Sequence, residues 1–290
     1  MGDKQTGRGE AAELRSEVMP LAEKRGGVML IEQRITENGI ETVDKVGIAV
    51  ARLREFEPPE GYYLAFSGGK DSVVIYDLAV KAGVRFDAHY SVTGVDPPEL
   101  VKFIRQQYPE VERHRPEETM WSLIERKMPP TRIKRFCCEV LKERGGDGRR
   151  VVTGIRWAES VKRSKRRMVE NCMKGRKGTT FVHPIIDWEN EDVWQYIREN
   201  NIPYCSLYDE GFERLGCIMC PMKRTKGMLR DAERWPRYYK LYLRAFSKML
   251  EYGKKNGKEF KSNWQTAEDV MHWWIYNPPK GDPDQGVLFE

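Results

Sequence analysis

Tyr62-Tyr63-Leu64-Ala65-Phe66-Ser67-Gly68-Gly69-Lys70-Asp71-Ser72 is the stretch on which the reading of this chain turns. The apolar run from Tyr62 to Phe66, with glycines on either side, predicts a short buried strand, and the helical spacing from Val73 to Ala82 predicts a helix after it. Two glycines directly after a buried strand let the backbone approach a ligand closely. The helix that follows offers unpaired N–H donors and the positive end of its dipole. Ser67 and Ser72 add hydroxyl donors, and Lys70 adds a point charge. The Walker pattern would need a longer loop ending Gly-Lys-Ser/Thr, so a different phosphate loop is indicated. An ordinary glycine turn is the plain alternative, and the agreement of strand, loop and helix weighs against it.

Working outward, strands and helices alternate. A helix is expected from Val46 to Phe56, closed by Pro58-Pro59-Glu60-Gly61, with residues 1–45 before it read as an N-terminal arm and helix. Beyond the loop, Phe86 to Val92 reads as a strand, Leu100 to Tyr108 and Met120 to Lys127 as helices, and Val151-Val152-Thr153-Gly154 as a buried strand ending in glycine. The pattern predicts an α/β fold, a doubly wound parallel sheet, whose ligands gather at the carboxyl ends of the strands near Ser67, Thr93 and Gly154. Residues 46–222 are read as the nucleotide-binding domain. Residues 223–290 are read as a helical C-terminal extension, with a long helix over Trp235–Tyr252 and a polar tail from Asp282.

At 290 residues and 40% hydrophobic, the chain can bury one large core or a core with a satellite. No apolar run approaches the ~18 residues a membrane span needs and the first thirty residues hold no signal-peptide core, so a soluble, cytoplasmic protein without a membrane partner is expected. Fifty basic against 44 acidic residues suit an anionic ligand, nucleotide or nucleic acid. Residues 161–178, dense in Lys and Arg, read as a surface loop. Trp235, Tyr238, Tyr239, Tyr242 and Phe246, interleaved with Arg234, Arg237, Lys240 and Arg244, could stack on and neutralise a nucleic acid strand; at helical spacing, core packing with a solvated cationic face is the commoner outcome.

Cys137-Cys138 and Cys217-x-x-Cys220 look like a metal or cluster set rather than a disulfide framework. Sulfur ligation alone leaves an iron–sulfur cluster and structural zinc both open. Cys172 and Cys205 lack a spacing partner and read as ordinary thiols. His89 and His114 carry no partner motif and read as structural, and Trp273 and Trp274 as packing residues.

Ser67 to Ser72 resembles the pyrophosphate loop of the adenine nucleotide α-hydrolase superfamily, and further segments resemble its phosphoadenosine phosphosulfate (PAPS) reductase branch. Val92-Thr93-Gly94-Val95-Asp96-Pro97-Pro98-Glu99 is similar to the branch's Asp-Thr-Gly followed by Pro-Glu. Gly154-Ile155-Arg156-Trp157-Ala158-Glu159-Ser160 is similar to its Gly-x-Arg-x-x-Glu-Ser. His183-Pro184-Ile185-Ile186-Asp187-Trp188, Asp192-Val193-Trp194-x-Tyr196-Ile197, Ile202-Pro203-Tyr204 and Leu207-Tyr208-Asp209-x-Gly211 continue the likeness in order, so that it runs from about residue 60 to 222.

The resemblance implies a nucleotide site of Ser67, Gly68, Gly69, Lys70, Asp71, Ser72, Thr93, Gly94, Gly154, Arg156 and Glu159, with the phosphates on Gly68 to Ser72 and with Gly154 and Arg156 across the crevice; Lys70, Asp71 and Arg156 are the implied catalytic set. Arg156 offers a planar fork for phosphate or sulfate, and Glu159 would orient it or accept from base or ribose; an i,i+3 surface pair is the alternative. Cys137, Cys138, Cys217 and Cys220 are similar to the 4Fe-4S pattern of adenylylsulfate reductases, with zinc as the alternative. Sulfonucleotide reductases of the branch also carry a nucleophilic cysteine in a Glu-Cys-Gly-Leu-His segment near the C-terminus, whereas no cysteine follows Cys220 here. Reductases often lose the loop's Lys and Asp, and this chain has both. It is similar in that respect to the sulfur-inserting enzymes of DNA phosphorothioation, which draw sulfur from a cysteine desulfurase.

The expectation is therefore an ATP pyrophosphatase, with Mg²⁺, that adenylates an acceptor for sulfur transfer. A sulfur-donor protein such as a cysteine desulfurase is the implied partner, with nucleic acid and self-association as homo-oligomer left open. The alternatives are a PAPS or adenylylsulfate reductase releasing sulfite, with PAPS as ligand, and a non-catalytic nucleotide- or nucleic-acid-binding accessory protein.

Overall fold

The computed structural model describes residues 30–276, apart from 38, 144, 173–177, 259 and 261–263. Residues 1–29 of the expected arm and the polar tail from Asp282 lie outside the described residues. Residues 31–44 correct the expected arm and helix: β1 (Ile31–Thr36) and β2 (Gly39–Asp44) pair antiparallel, Ile31 opposite Asp44 and Thr36 opposite Gly39. The signal for this hairpin is the Asn-Gly pair at 38–39 between β-branched residues, and Gly39 takes a φ of +117° that other residues rarely adopt. Asp44 then caps α1 (Lys45–Glu55), its carboxylate accepting from Val46 N at 3.0 Å.

The main sheet has six strands: β3 (Tyr62–Ala65), β4 (Phe86–Ser91), β5 (Glu112–His114), β6 (Arg150–Val152), β7 (Val169–Asn171) and β8 (Thr180–Val182). Their order is β5-β4-β3-β6-β8-β7; all neighbours run parallel except β7, which pairs antiparallel with β8 at the edge. Tyr62, Tyr63 and Leu64 are all buried, as a central strand covered on both faces requires. The chain leaves β3 toward β4 on one side and returns to β6 on the other. The β3/β6 boundary is therefore the switch point at which a doubly wound sheet opens a crevice.

The described helices are α2 (Lys70–Ala82), α3 (Pro98–Gln107), α4 (Met120–Arg126), α5 (Phe136–Leu141), α6 (Asn190–Glu199), α7 (Arg224–Arg234), α8 (Pro236–Lys255) and α9 (Ala267–Tyr276). Gly83, at a φ of +69°, ends α2 in the left-handed conformation that glycine adopts without a Cβ penalty. The basic stretch is more than a surface loop: it contains β7, and Arg163 and Arg166 turn onto Glu159 and Glu170. Ion pairing, not solvation, places those two cations.

Tyr242, Phe246, Met249 and Trp274 belong to the same continuous core as the sheet. Trp121 meets Tyr242 edge-on at 5.0 Å, and Trp274 Nε1 donates to Pro130 O at 2.6 Å. Tyr242 and Phe246 of α8 thus pack inward, while Arg237, Lys240 and Arg244 are exposed. No described helix is long and apolar enough to cross a membrane.

Candidate nucleotide and cysteine site

Phe66 N donates to His89 O at 2.9 Å, which extends the strand pairing past β3 and brings Ser67 to the rim of the sheet. Gly68 follows with a φ of +70°, and a Cβ there would stand 2.7 Å from side-chain carbons of Ile104 and Leu100; backbone and packing both demand glycine. Gly69 is the N-cap of α2 and has no side chain with which to close the helix N–H groups. Ser72 Oγ donates to Gly69 O at 2.8 Å and lies 3.2 Å from Ser67 Oγ. Lys70 N donates to the Tyr208 hydroxyl at 2.8 Å, so one donor that a phosphate oxygen would use is already held by a residue far along the chain.

The Lys70 side chain is buried, at 6% residue exposure, with Nζ 3.2 and 3.0 Å from the two carboxylate oxygens of Asp71. Asp71 Oδ1 also accepts from Arg156 Nε at 2.7 Å, and Arg156 Nη1 donates to Trp188 O at 3.1 Å. One carboxylate thus lies between two buried cations. Burial pulls Lys70 below its ordinary value, Arg156 pulls the same way, and Asp71 opposes them. An added anion would relieve that strain on charge.

Gly154 lets the second loop come near: a Cβ there would lie 2.9 Å from Asp71 Cβ and 3.0 Å from its backbone carbon and oxygen. Arg156 is 2% exposed, and Glu159 accepts from its backbone N at 3.0 Å while pairing with Arg163. That arrangement sets aside the alternative of an exposed i,i+3 pair. Behind it, His183 is fully buried, with Nδ1 2.7 Å from Thr153 Oγ1 and Nε2 3.2 Å from Glu170; burial holds its pKa below the ordinary value.

Thr93 and Gly94 follow β4. Thr93 is 1% exposed, its N donates to Asp96 Oδ2 at 2.9 Å, and its hydroxyl lies 3.8 Å from Cys217 Sγ. This loop therefore joins the sheet to the cysteines. Cys137 and Cys138 sit on α5, and Cys217 and Cys220 flank a turn that is fixed by Ile218 N donating to Val95 O at 2.8 Å. The four sulfurs interact electrostatically: Cys137 feels Cys138, Cys220 and Cys217. Arg135 donates to Cys138 Sγ at 3.2 Å, and Lys142 hydrogen-bonds Cys217. A hydrogen bond from Cys137, with Arg135 assisting against burial, holds the Cys138 thiol down, while burial pushes Cys217 up to about 11.

Four sulfurs around one zinc ion stand ~3.8 Å apart, given Zn–S bonds of ~2.3 Å. Among the described residues, no three cysteine sulfurs lie within 4.8 Å of one another. Cys172 directly follows β7, and Cys205 is buried before the turn that carries Tyr208. Tyr208 is the site residue that sequence reasoning passed over, since nothing local ties residue 208 to residue 70.

Fold and site together define an α/β nucleotide-binding protein with its crevice at the β3/β6 switch point. A family profile described as "Phosphoadenosine phosphosulfate reductase domain" matches residues 61–223, more than half of the chain, and the chain belongs to that family. An uncharacterized protein of Methanocaldococcus jannaschii is 29% identical over 262 residues, covering 85% of this chain and 60% of the relative; a second from the same organism is 28% identical, covering 77% and 48%. This chain thus spans about half the length of those relatives. The adenosine 5'-phosphosulfate reductase of Oceanobacillus iheyensis is 28% identical over 188 residues, covering 59% of this chain and 75% of that enzyme. Among solved structures, the PAPS reductase of Candida auris in its phosphate complex overlays with a TM-score of 0.47 at 19% identity, covering 58% of this chain and 87% of that one.

Proposed function

We propose that the chain is an ATP pyrophosphatase that adenylates an acceptor for sulfur transfer, and that Cys137, Cys138, Cys217 and Cys220 hold a 4Fe-4S cluster. The observation that carries this reading is the complete phosphate loop, in which Asp71 is flanked by the buried cations Lys70 and Arg156. Such a loop suits a β,γ-pyrophosphate. Ser67, Ser72 and the N-terminus of α2, once Lys70 N leaves the Tyr208 hydroxyl, donate to its oxygens, and Lys70 and Arg156 offset the charge that builds on it. The acceptor oxygen attacks the α-phosphorus, the bond from that phosphorus to the bridging oxygen breaks, and pyrophosphate leaves with the electron pair. Asp71, with 24% side-chain exposure, can share an oxygen with Mg²⁺, which supplies Lewis-acid polarisation when bound.

As they stand, no three described cysteine sulfurs lie within 4.8 Å of one another, and Arg135 and Lys142 would offset the negative charge of four thiolates that hold a cluster. A cluster there would bind or relay sulfur received from a donor protein such as a cysteine desulfurase.

A second reading, reduction of adenylylsulfate or PAPS to sulfite, is favoured by the likeness to adenosine 5'-phosphosulfate reductases. One anaerobic preparation assayed for both products separates them. Pyrophosphate released from Mg-ATP, faster with the right acceptor, is expected. Sulfite released at enzymatic turnover from PAPS or adenylylsulfate with a thiol reductant would overturn the proposal in favour of the reductase, and tight nucleotide binding with neither product would indicate an accessory protein.

A further inference from the structure

His89 on β4 stands in register with Glu112 on β5, and His114 with Ser91. Side chains alternate along β4: buried Ala88 and Tyr90 belong to one face, and Asp87 and His89 to the other. On that face His89 Nδ1 lies 2.6 Å from His114 Nε2 and 3.5 Å from Glu112 Oε2, and His114 Nε2 lies 3.7 Å from the same oxygen. These three donor atoms lie within 4.8 Å of one another. No local sequence motif signals this group; strand register assembles it.

The other nitrogen of His89 is committed. Nε2 donates to Asp87, and Asp87 is gripped by Arg149 through Nη1 at 2.6 Å and Nη2 at 2.5 Å. The His89 ring also stacks on Tyr63, with centroids 4.0 Å apart and planes 6° from parallel, so it cannot turn freely. An ionised Asp87 accepting from Nε2 leaves the Nδ1 lone pair directed into the group. A carboxylate behind an imidazole is the arrangement that orients histidine ligands and raises their basicity. His89 is nearly buried, while the His114 and Glu112 side chains are 48% and 62% exposed, so an ion has a way in and room for water.

We propose that His89 Nδ1, His114 Nε2 and Glu112 Oε2 bind one divalent ion of the zinc type, oriented by Asp87 and distinct from the four cysteines. Two imidazoles and one carboxylate suit Zn²⁺ or Co²⁺, whereas Mg²⁺ and Ca²⁺ prefer oxygen alone. In the free protein, His114 Nε2–H donates to His89 Nδ1. The ion takes that proton's place at Nε2, and the proton passes through water to His114 Nδ1, so the neutral imidazole changes tautomer with no net release of a proton. Bound there, the ion ties the short edge strand β5 to β4.

The test is equilibrium dialysis of the full chain against Zn²⁺, comparing wild type, His114→Ala, Glu112→Gln, Asp87→Asn and a Cys217→Ser/Cys220→Ser variant, with circular dichroism to establish that each is folded. The proposal expects one Zn²⁺ that survives loss of the cysteines, is weakened about 100-fold or more by His114→Ala, and about 10- to 100-fold by Asp87→Asn. With Co²⁺ in the cysteine variant, d–d bands should appear without thiolate charge transfer. Because His114 and Glu112 are exposed on an edge strand, their variants should fold. Zinc binding unchanged in both, or zinc lost only with the cysteines, would overturn the proposal.

Discussion

Replacing Lys70 with alanine isolates the contribution of one ammonium to nucleotide binding. In the free site Lys70 is 6% exposed and its ammonium shares Asp71 with Arg156. A charge-assisted bond to a phosphate oxygen in so desolvated a place contributes about 1.5–3 kcal/mol. At ~1.4 kcal/mol per tenfold, Kd for Mg-ATP should rise by about 10- to 150-fold. The effect on folding should be smaller because two terms oppose each other. Asp71 loses one partner but keeps Arg156 Nε at 2.7 Å, and the burial that depresses the Lys70 pKa is a cost the variant no longer carries. Stability should change by less than about 1 kcal/mol, within the range of a residue whose partner remains satisfied. Calorimetric titration with Mg-ATP and thermal melts of both proteins measure the two quantities separately. An unchanged Kd with an unchanged melt would refute the assignment of the phosphate loop, and a large fall in melting temperature would recast Lys70 as a structural ion-pair member.

Gly68→Ala combines a positive φ with a Cβ 2.7 Å from Ile104 and Leu100, so chemical denaturation should show a loss of about 2–4 kcal/mol. Protein prepared anaerobically should contain iron and sulfide, reduced by serine at Cys137, Cys138, Cys217 or Cys220 and unaffected by serine at Cys172 or Cys205; zinc in place of iron that is lost with those same serine replacements would favour the single-ion alternative. Burial lowers the pKa of His183, so the unfolded chain takes up a proton near its ordinary value of 6.5 while the native site resists it. Stability should be full above that pH and fall as pH drops through and below it, and His183→Gln should flatten this part of the profile in denaturation measured between pH 5 and 8.

The fold was legible where the pattern is local. The apolar run of β3, the glycine pair and the helical period of α2 lie within about twenty consecutive residues and together indicate the strand–loop–helix unit. Short strands were less legible: β7 and β8 have three residues each, too few for a period, and β7 lies within a basic stretch that resembles solvated loop. The β1–β2 hairpin falls within the stretch read as arm and helix, although its sequence carries an Asn-Gly pair at 38–39. At the site, Arg156 could be named from its segment, but its burial and its bond to Asp71 depend on Gly154 admitting the loop after β6. Tyr208 and the group of His89, Glu112 and His114 are wholly non-local, brought together by packing and by register that no window of sequence contains.

These non-local contacts also determine what binding must accomplish. In the free site Lys70 N is held by Tyr208, Lys70 Nζ by Asp71, and Arg156 by Asp71 and Trp188. A phosphate group therefore enters a site whose donors are already partnered, and its affinity is a difference between new bonds and those given up. Tyr208 can yield to an anion at little cost, because a phosphate oxygen is a stronger acceptor than a phenol and the helix dipole favours it. Asp71 must stay, since its removal would leave Lys70 and Arg156 buried beside each other with one fewer counter-charge. The loop after β4 extends this coupling: Thr93 leaves Asp96 and Cys217 on one short connection, so a displacement of either is felt by the other. Under the proposed function, the Thr93 hydroxyl ties the cysteines to the carboxyl end of β4, and Thr93→Val removes that hydroxyl while leaving the backbone bond to Asp96, so iron content measured after anaerobic preparation should fall in this variant.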